Sequence, residues 1–300
     1  MNTVSFVRVS KNSINSMRQA ISEALSLIDY SFNDNIKSVV IKPNLCYYWD
    51  YSTGQTTDPR FVAALIDLIR KKISPEPNIS IVESDASAMK CAHVFRMLGY
   101  EKLSNDYDVE LVNLSKDKSE TIATTAGDLR VNVSLPQTIA KADLKLNVTK
   151  IKYTMEPIKI TCALKNIFGC NPYPRKFRYH PKLEETIVAI NKIMRFDLNI
   201  IDGNIVSGIQ PRRIGLVMAS TDPVAIDAAA SEIAGVNPRT IRYLQIAKEE
   251  GLGKTSFIPK GVPIGYFKSV YPRKTINKKL MSKAYSLVTR IGLSRKIGLG

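Results

Sequence analysis

Short apolar stretches alternate with segments of helical periodicity along most of the chain. Residues 4–9, 38–44 and 78–84 have the length and composition of buried strands. Between the first two, residues 14–28 carry apolar side chains at the spacing of an amphipathic helix, at positions 14, 17, 21, 24, 25 and 28. Strands in which few positions are polar are typical of a mainly parallel sheet with helices on both faces. We therefore expect an α/β fold of this kind.

The remaining elements follow the same alternation. Residues 121–134 predict a β-hairpin that turns at Gly127 and Asp128, since these residue types suit a tight turn. Apolar runs predict further strands at residues 109–114, 142–148, 198–204, 214–220 and 261–267. Helical periodicity predicts helices at residues 59–72, 91–103, 161–169, 181–196, 223–235, 239–253 and 275–291.

Two of these helices begin with aspartate followed by proline. Asp58 and Asp222 are both explained as N-caps, because the carboxylate accepts from the first turn and proline suits the first helical position. Asp222 also follows an apolar strand, where a substrate contact is expected. Asp227 lies in an otherwise apolar helix, where a buried acid needs a partner. A functional role and an ion pair with a lysine both remain open for Asp227.

The length and composition allow one large core. The chain has 300 residues, 44% of them hydrophobic, which excludes a disordered protein and a disulfide scaffold. We expect one α/β domain over residues 1–265, with a division into two lobes near residues 120–145 as an alternative. A basic, helical C-terminal extension over residues 266–300 would follow.

The positive charge is concentrated near the C-terminus. The net charge is +16, and no acidic residue follows Glu250, whereas eleven Lys and Arg residues do. Such a tail fits an acidic surface, whether anionic lipid, nucleic acid or protein. A solvated extension without a specific partner is the alternative.

Cysteine spacing and hydropathy favour a cytoplasmic protein with reduced thiols. The four cysteines, at positions 46, 91, 162 and 170, form no CxxC pair, so neither a zinc ribbon nor a ferredoxin-type cysteine motif is present. No apolar run has the length of a membrane span, and the first residues lack a signal-peptide core. The cofactor stays unknown, with a divalent metal as one option.

Polar side chains follow the predicted strands, and ligands of parallel α/β sheets bind at the carboxyl ends of strands. These places are Lys42 to Asn44, Glu83 to Asp85, Thr149 to Lys152, Asp202 to Asn204 and Ser220 to Asp222. The lysines there, with Lys165 from the next helix, suit a phosphate or carboxylate ligand. Exposed lysines are common, so a solvated role is the alternative for each one alone.

We assign candidate roles by chemistry. The catalytic candidates are Lys150, Lys152, Asp202 and Asp227, and the substrate-binding candidates are Lys42, Asn44, Thr161, Lys165, Asn166 and Asp222. The metal-ligand candidates are Glu83, Asp85 and Cys170, since paired carboxylates from different strands can hold a divalent cation with bound phosphate. Cys170 follows Gly169 in a loop, where we expect an accessible thiol. Cys162 is expected in the core, and His180 beside Pro181 could act as an acid or base.

Taken together, eight stretches resemble the family called domain of unknown function 362, from about residue 36 to residue 253. They are IKPN (41–44), TTDPRFV (56–62), VESD (82–85), ADLKLNVTKIK (142–152), TCALKNIFGC (161–170), IIDGN (200–204), ASTDPVAIDAAA (219–230) and EEGLG (249–253). The resemblance covers the family positions Lys42, Asn44, Lys150, Lys152, Lys165, Asn166, Asp202, Asp222 and Asp227. Relatives have a histidine shortly after the second lysine of Lys-x-Lys, whereas Tyr153 and Thr154 stand here.

The resemblance implies no assigned reaction. Some relatives resemble fusions to ferredoxin-like modules, but this chain lacks the cysteines of such modules. The leading hypothesis is an enzyme that binds a small anionic substrate in a crevice lined by Lys, Asn and Asp at the strand ends. The alternatives are a metal-linked or iron-sulfur-linked redox protein, and a basic protein that binds a membrane surface or nucleic acid.

Overall fold

The computed structural model describes residues 2–154 and 158–273 of the chain. Its strands are β1 (Thr3–Arg8), β2 (Ser38–Pro43), β3 (Asn78–Glu83), β4 (Glu110–Asn113), β5 (Ser119–Ala126), β6 (Leu129–Pro136), β7 (Leu144–Thr149), β8 (Lys152–Tyr153), β9 (Ile160–Thr161), β10 (Leu198–Val206), β11 (Arg212–Ser220) and β12 (Ile258–Gly261). Eight of them form one sheet in the order β12-β1-β11-β10-β7-β2-β3-β4. Only β11 runs antiparallel to its neighbours. The prediction of a mainly parallel sheet is confirmed.

Helices cover both faces of this sheet. They are α1 (Ile14–Leu27), α2 (Pro59–Lys72), α3 (Cys91–Met97), α4 (Tyr100–Tyr107), α5 (Gln137–Lys141), α6 (Ala163–Ile167), α7 (Leu183–Ile193), α8 (Pro223–Ile233), α9 (Arg242–Glu249) and α10 (Ile264–Val270). Short 3-10 helices lie at Tyr51–Thr53, Phe168–Cys170, Lys176–Lys182 and Pro238–Thr240.

Alternate residues of the central strands belong to two separate cores. In β2, Val39 and Ile41 pack in the core that contains α1 and α2, whereas Val40 packs in the core that contains α7 and α8. All three are buried, because successive side chains point to opposite faces and both faces are covered. This explains why the strands are continuously apolar in sequence.

Two predicted elements differ from the structure. The single helix expected over residues 91–103 is two helices, α3 and α4, because Gly99 between them adopts a left-handed conformation with φ 81°. The strand expected over residues 261–267 is wrong, since β12 ends at Gly261 and α10 follows. The basic helix expected over residues 275–291 lies outside the described residues. Among those described, no helix is both long and apolar enough to cross a membrane.

The predicted hairpin and α10 both pack on the rest of the domain. Ala126 pairs with Leu129 across the turn of β5 and β6, as expected, and this hairpin contacts α7. Phe267 of α10 is buried, and Tyr271 just beyond it donates a hydrogen bond to the Ile151 carbonyl at 3.0 Å. The chain therefore remains part of the core up to about residue 271.

The reversed direction of β11 decides where Asp222 lies. Because β11 is antiparallel to β10, its carboxyl end at Ser220 pairs with Asn199 at the start of β10. The expectation that Ser220 to Asp222 would share an edge with the other strand-end groups is therefore wrong. At the opposite edge, Asp222 Oδ1 accepts from the backbone N–H groups of Val224 and Ala225, each at 2.8 Å, and Oδ2 accepts from the backbone N–H of Lys254 at 2.9 Å.

We expect Asp222→Ala to lower the free energy of unfolding by about 1–2 kcal/mol, because the first turn of α8 loses its cap. Asp222→Asn keeps an oxygen that can accept from the same backbone groups and should lose less. Urea denaturation followed by circular dichroism measures both changes. Equal midpoints for the wild type and the alanine variant would contradict the capping role.

Candidate functional site

Four parallel strands bring polar side chains to one edge of the sheet. Lys42 stands opposite Asn147 in the pairing of β2 with β7, and Ile201 stands opposite Thr149 in the pairing of β7 with β10. The residues that follow these positions therefore come together in space, as expected for carboxyl ends of parallel strands.

Two buried ion pairs lie at this edge. Lys42 Nζ contacts Glu83 Oε2 at 2.8 Å, and Lys150 Nζ contacts Asp202 Oδ2 at 3.1 Å, with every side chain at most 3% exposed. The ammonium groups also donate to the carbonyls of Pro43 at 2.6 Å and Ile205 at 2.8 Å. Removing one partner of such a pair typically costs about 3–5 kcal/mol. These charges are compensated within the protein.

Asp202 also joins the start of α2 to this edge. Its Oδ2 accepts from the Asp58 backbone N–H at 3.0 Å, and its Oδ1 accepts from that of Asn204 at 3.2 Å. Asp58 caps α2 and binds the Arg60 guanidinium at 2.7 Å. Asp202 is 1% exposed and fully hydrogen-bonded, so the geometry supports a positioning role for the carboxylate that we considered catalytic.

Four buried asparagine side chains form a hydrogen-bonded chain, the amide chain, that begins at Lys152. Lys152 Nζ donates to Asn44 Oδ1 at 2.7 Å, and Asn44 Nδ2 donates to Asn166 Oδ1 at 2.8 Å. Asn166 Nδ2 donates to Asn147 Oδ1, and Asn147 Nδ2 donates to Asn199 Oδ1, both at 2.8 Å. Each amide in this chain donates in one direction and accepts from the other. The chain thereby fixes the position of the Lys152 ammonium.

Three lysines at the edge have no carboxylate of the described residues within ion-pair distance. They are Lys152, Lys165 and Lys176, which we call the lysine cluster. Lys152 also donates to the Gln55 carbonyl at 2.9 Å, and Lys176 donates to Ser84 Oγ at 2.5 Å. Lys165 lies with Nζ 4.8 Å from the centre of the Phe168 ring. The cluster therefore carries positive charge that the described side chains do not neutralise.

Burial lowers the pKa of each lysine in this cluster. The pKa of Lys165 falls to about 8 because of burial, helped by the charges of Lys152 and Lys176. The pKa of Lys176 also falls to about 8, mainly through burial, while Glu83 opposes the shift. Burial likewise lowers the pKa of Lys152. The pKa of His180 is lowered by burial and by Lys165, which places this histidine in the field of the cluster.

Asp227 holds the helix that carries Lys165 and Asn166. It is completely buried, and its two oxygens accept from the backbone N–H groups of Ala163 at 2.6 Å and Leu164 at 3.2 Å. Burial raises its pKa to about 7, although these hydrogen bonds oppose the shift. Of the two readings left open, an ion pair with a lysine is not found among the described residues. Asp227 instead fixes the start of α6.

The remaining candidates lie at the margin of the site. Thr161 is half-buried and stands opposite Lys152 in the pairing of β8 with β9. Cys170 is completely buried, and burial raises its pKa to about 12, so the expected accessible thiol is wrong. Cys162 is in the core, as predicted.

The described residues contain no group of three or more His, Cys, Asp and Glu side chains arranged to hold a metal ion. Of the metal candidates, Glu83 pairs with Lys42. Asp85 accepts from the Cys91 backbone N–H at 2.8 Å and from Asn113 Nδ2 at 3.3 Å. These contacts occupy both carboxylates.

Sequence reasoning missed Lys176 and Asn199 as site residues. Lys176 belongs to an irregular basic segment, where no periodicity assigns a direction to any side chain. Asn199 had a usable signal, because an amide inside an apolar strand must find a hydrogen-bond partner when it is buried.

Comparisons with known proteins agree with this architecture. A thylakoid-associated protein of Synechocystis sp. is 28% identical over 232 residues, which cover 73% of this chain and 69% of that protein. The structure of the lactate racemase apoprotein from Thermoanaerobacterium thermosaccharolyticum superimposes with a TM-score of 0.52 at 12% identity. It matches 79% of this chain and 58% of that chain, and at this identity the likeness shows the fold alone.

The sequence profile of the family described as domain of unknown function (DUF362) matches residues 39–232. This range contains the two buried ion pairs, the amide chain and all three residues of the lysine cluster. The chain belongs to the domain of unknown function 362 family.

Proposed function

We propose that the protein is an enzyme whose lysine cluster binds a small anionic substrate at the carboxyl edge of the sheet. The observation that carries this proposal is a contrast between five neighbouring lysines. Lys42 and Lys150 are neutralised by buried carboxylates, whereas Lys152, Lys165 and Lys176 are not, within the described part of the chain. Like charges gathered in a partly buried place destabilise one another, and a bound anion offsets that repulsion.

The surrounding contacts suit binding and proton transfer. The amide chain fixes the position of the Lys152 ammonium. Asp227 holds the start of α6, the helix that carries Lys165. Lys165 and Lys176 have pKa values near 8, close enough to neutral pH for a lysine to give or take a proton during a reaction. In this proposal the two ion pairs position the edge and the lysine cluster contacts the substrate.

The redox alternative has less direct support. It needs thiols and carboxylates that converge on an ion. Among the described residues, however, the carboxylates of Glu83 and Asp85 have other hydrogen-bond partners, and the Cys170 thiol is fully buried. The lysine cluster, in contrast, is a positively charged group already assembled. We therefore place anion binding first.

Lys165→Met should weaken the binding of sulfate or citrate about tenfold or more, because a charge-assisted contact is lost. The change keeps an unbranched side chain, one heavy atom shorter, and removes its charge. Lys248→Met is the matched control, since Lys248 is an exposed helical lysine away from the site. Isothermal titration calorimetry measures the affinities of the wild type, of these two variants and of Lys152→Met. If Lys165→Met and Lys152→Met both bind these anions like the wild type, the proposal fails.

Anion affinity should fall as the pH rises through about 8. Lys165 and Lys176 are protonated below their pKa of about 8 and lose their charge above it, so the anion loses its partners. Sulfate is the suitable probe, because its own charge is constant between about pH 6.5 and 9.5. Lys165→Arg keeps a charge over this range and should flatten the decline. An affinity of the wild type that does not change with pH would contradict the assignment.

A second function is favoured by one relative and by the charge distribution. The Synechocystis protein is named for its association with thylakoids, and this chain carries eleven basic residues and no acidic residue after Glu250. Basic segments near an anionic bilayer gain about 1 kcal/mol per Lys or Arg. We propose that the protein is cytoplasmic and that its C-terminal basic residues attach it to an anionic membrane surface.

Deleting residues 274–300 should abolish this attachment, because it removes seven of the eleven basic residues. The cut keeps Phe267 and Tyr271, which are buried in the body, so the domain should stay folded. Sedimentation with phosphatidylglycerol vesicles tests this, with phosphatidylcholine vesicles as the control. Binding should also be released by salt, because screening weakens it. If the truncated protein sediments like the full chain, the tail is not the anchor.

A further inference from the structure

A pocket with polar and apolar lining residues lies between the β5–β6 hairpin and the start of α7. We call it the hairpin pocket. Its volume is about 580 Å³, within the range of about 300–1,000 Å³ that small-molecule sites have. It is lined by Thr121, Leu129, Arg130, Val131, Asn132, Ser134, Tyr173, Arg178, Tyr179, Pro181, Lys182 and Thr186.

Residues from both faces of the hairpin line one side of the pocket. Thr121 stands opposite Ser134, and Arg130 and Asn132 project from the same face of β6, because side chains two residues apart share a face. Leu129 and Val131 also line the pocket, whereas Val133 is buried in the core. The hairpin therefore presents hydroxyl, amide and guanidinium groups to whatever occupies the pocket.

The walls add positive charge that no described lining residue compensates. Arg130, Arg178 and Lys182 line the pocket, and none of the lining residues within 2–154 and 158–273 is acidic. None of the three cations has a carboxylate of residues 2–154 or 158–273 within ion-pair distance. Arginine forks bind phosphate oxygens in pairs, which makes this set suited to a phosphate or polyphosphate group.

Two tyrosines supply a flat apolar surface at the rim. The Arg178 guanidinium carbon lies 5.7 Å from the centre of the Tyr173 ring and 5.5 Å from that of Tyr179. The Tyr179 ring is held by an edge contact with Phe168 at 5.9 Å, whereas Tyr173 is 46% exposed. An exposed ring next to a guanidinium is a surface on which a planar heterocycle can stack.

We propose that the hairpin pocket binds a nucleoside phosphate. Arg130, Arg178 and Lys182 would hold the phosphate groups, and the base would stack on Tyr173. This combination requires both parts of the ligand, because the cations recognise the phosphates and the exposed ring recognises the base. The site is separate from the lysine cluster, although the 3-10 helix Lys176–Lys182 contributes to both.

Calorimetric titration of the full chain with ATP, AMP, adenosine and tripolyphosphate tests the proposal. ATP should bind more tightly than either adenosine or tripolyphosphate. Arg178→Ala should weaken ATP about tenfold or more, since a charged bidentate contact is lost. Arg175→Ala is the matched control, because Arg175 is exposed on the same segment and does not line the pocket.

Variants of Tyr173 separate stacking from charge. Tyr173→Ala should weaken ATP and leave tripolyphosphate unchanged, and Tyr173→Phe should restore ATP binding because it keeps the ring. A loss of ATP binding in Lys165→Met with none in Arg178→Ala would place ATP at the lysine cluster, which would overturn this proposal and leave the anion-binding proposal standing. Equal binding of ATP and tripolyphosphate, equal losses in Arg175→Ala and Arg178→Ala, or no ATP binding at millimolar concentration would each overturn the proposal.

Discussion

The central constraint on this structure is that polar groups buried at the carboxyl edge of the sheet must find partners inside the protein. Parallel strands covered on both faces leave little access to water, and an unpaired buried charge is very costly. Lys42 meets Glu83 from the neighbouring strand, and Lys150 meets Asp202 from the strand on its other side. Because each pair joins two strands, satisfying these charges also fixes how the strand ends lie relative to one another.

The same constraint positions α6 and hence the lysine cluster. Asp227 reaches from α8 to the start of α6, and Asn166 on α6 connects to Asn44 and Asn147 under it. The helix is only five residues long and would not be stable alone. It is held by polar contacts at both its start and its inner face. Several of the residues on which the resemblance to the family is based therefore stabilise the structure through these contacts.

Much of the fold could be predicted because apolar periodicity is local, whereas the site depends on strand direction and distant contacts. The β-hairpin at Gly127 and the Asp-Pro helix starts were visible in sequence. The antiparallel direction of β11 could not be predicted, because the apolar pattern of a buried strand does not indicate the direction in which it pairs. This direction places Asp222 at the opposite edge of the sheet. Likewise, no pattern shows that Asp227 meets Ala163, 64 residues away, or that Lys176 reaches Ser84.

The ionisation of Asp227, which contacts the start of α6, and of Lys165 on α6 lowers the stability of the fold near neutral pH. Asp227 holds its proton more tightly when folded, so its contribution to stability falls as the pH rises from about 4 to about 7. Lys165 loses its proton more easily when folded, so its contribution rises only as the pH increases from about 8 to about 10.5. Between these windows both groups are charged and buried, and both disfavour the folded state. An anion bound beside Lys165 would relieve part of that cost, which is the physical reason to expect that the lysine cluster serves binding and not folding.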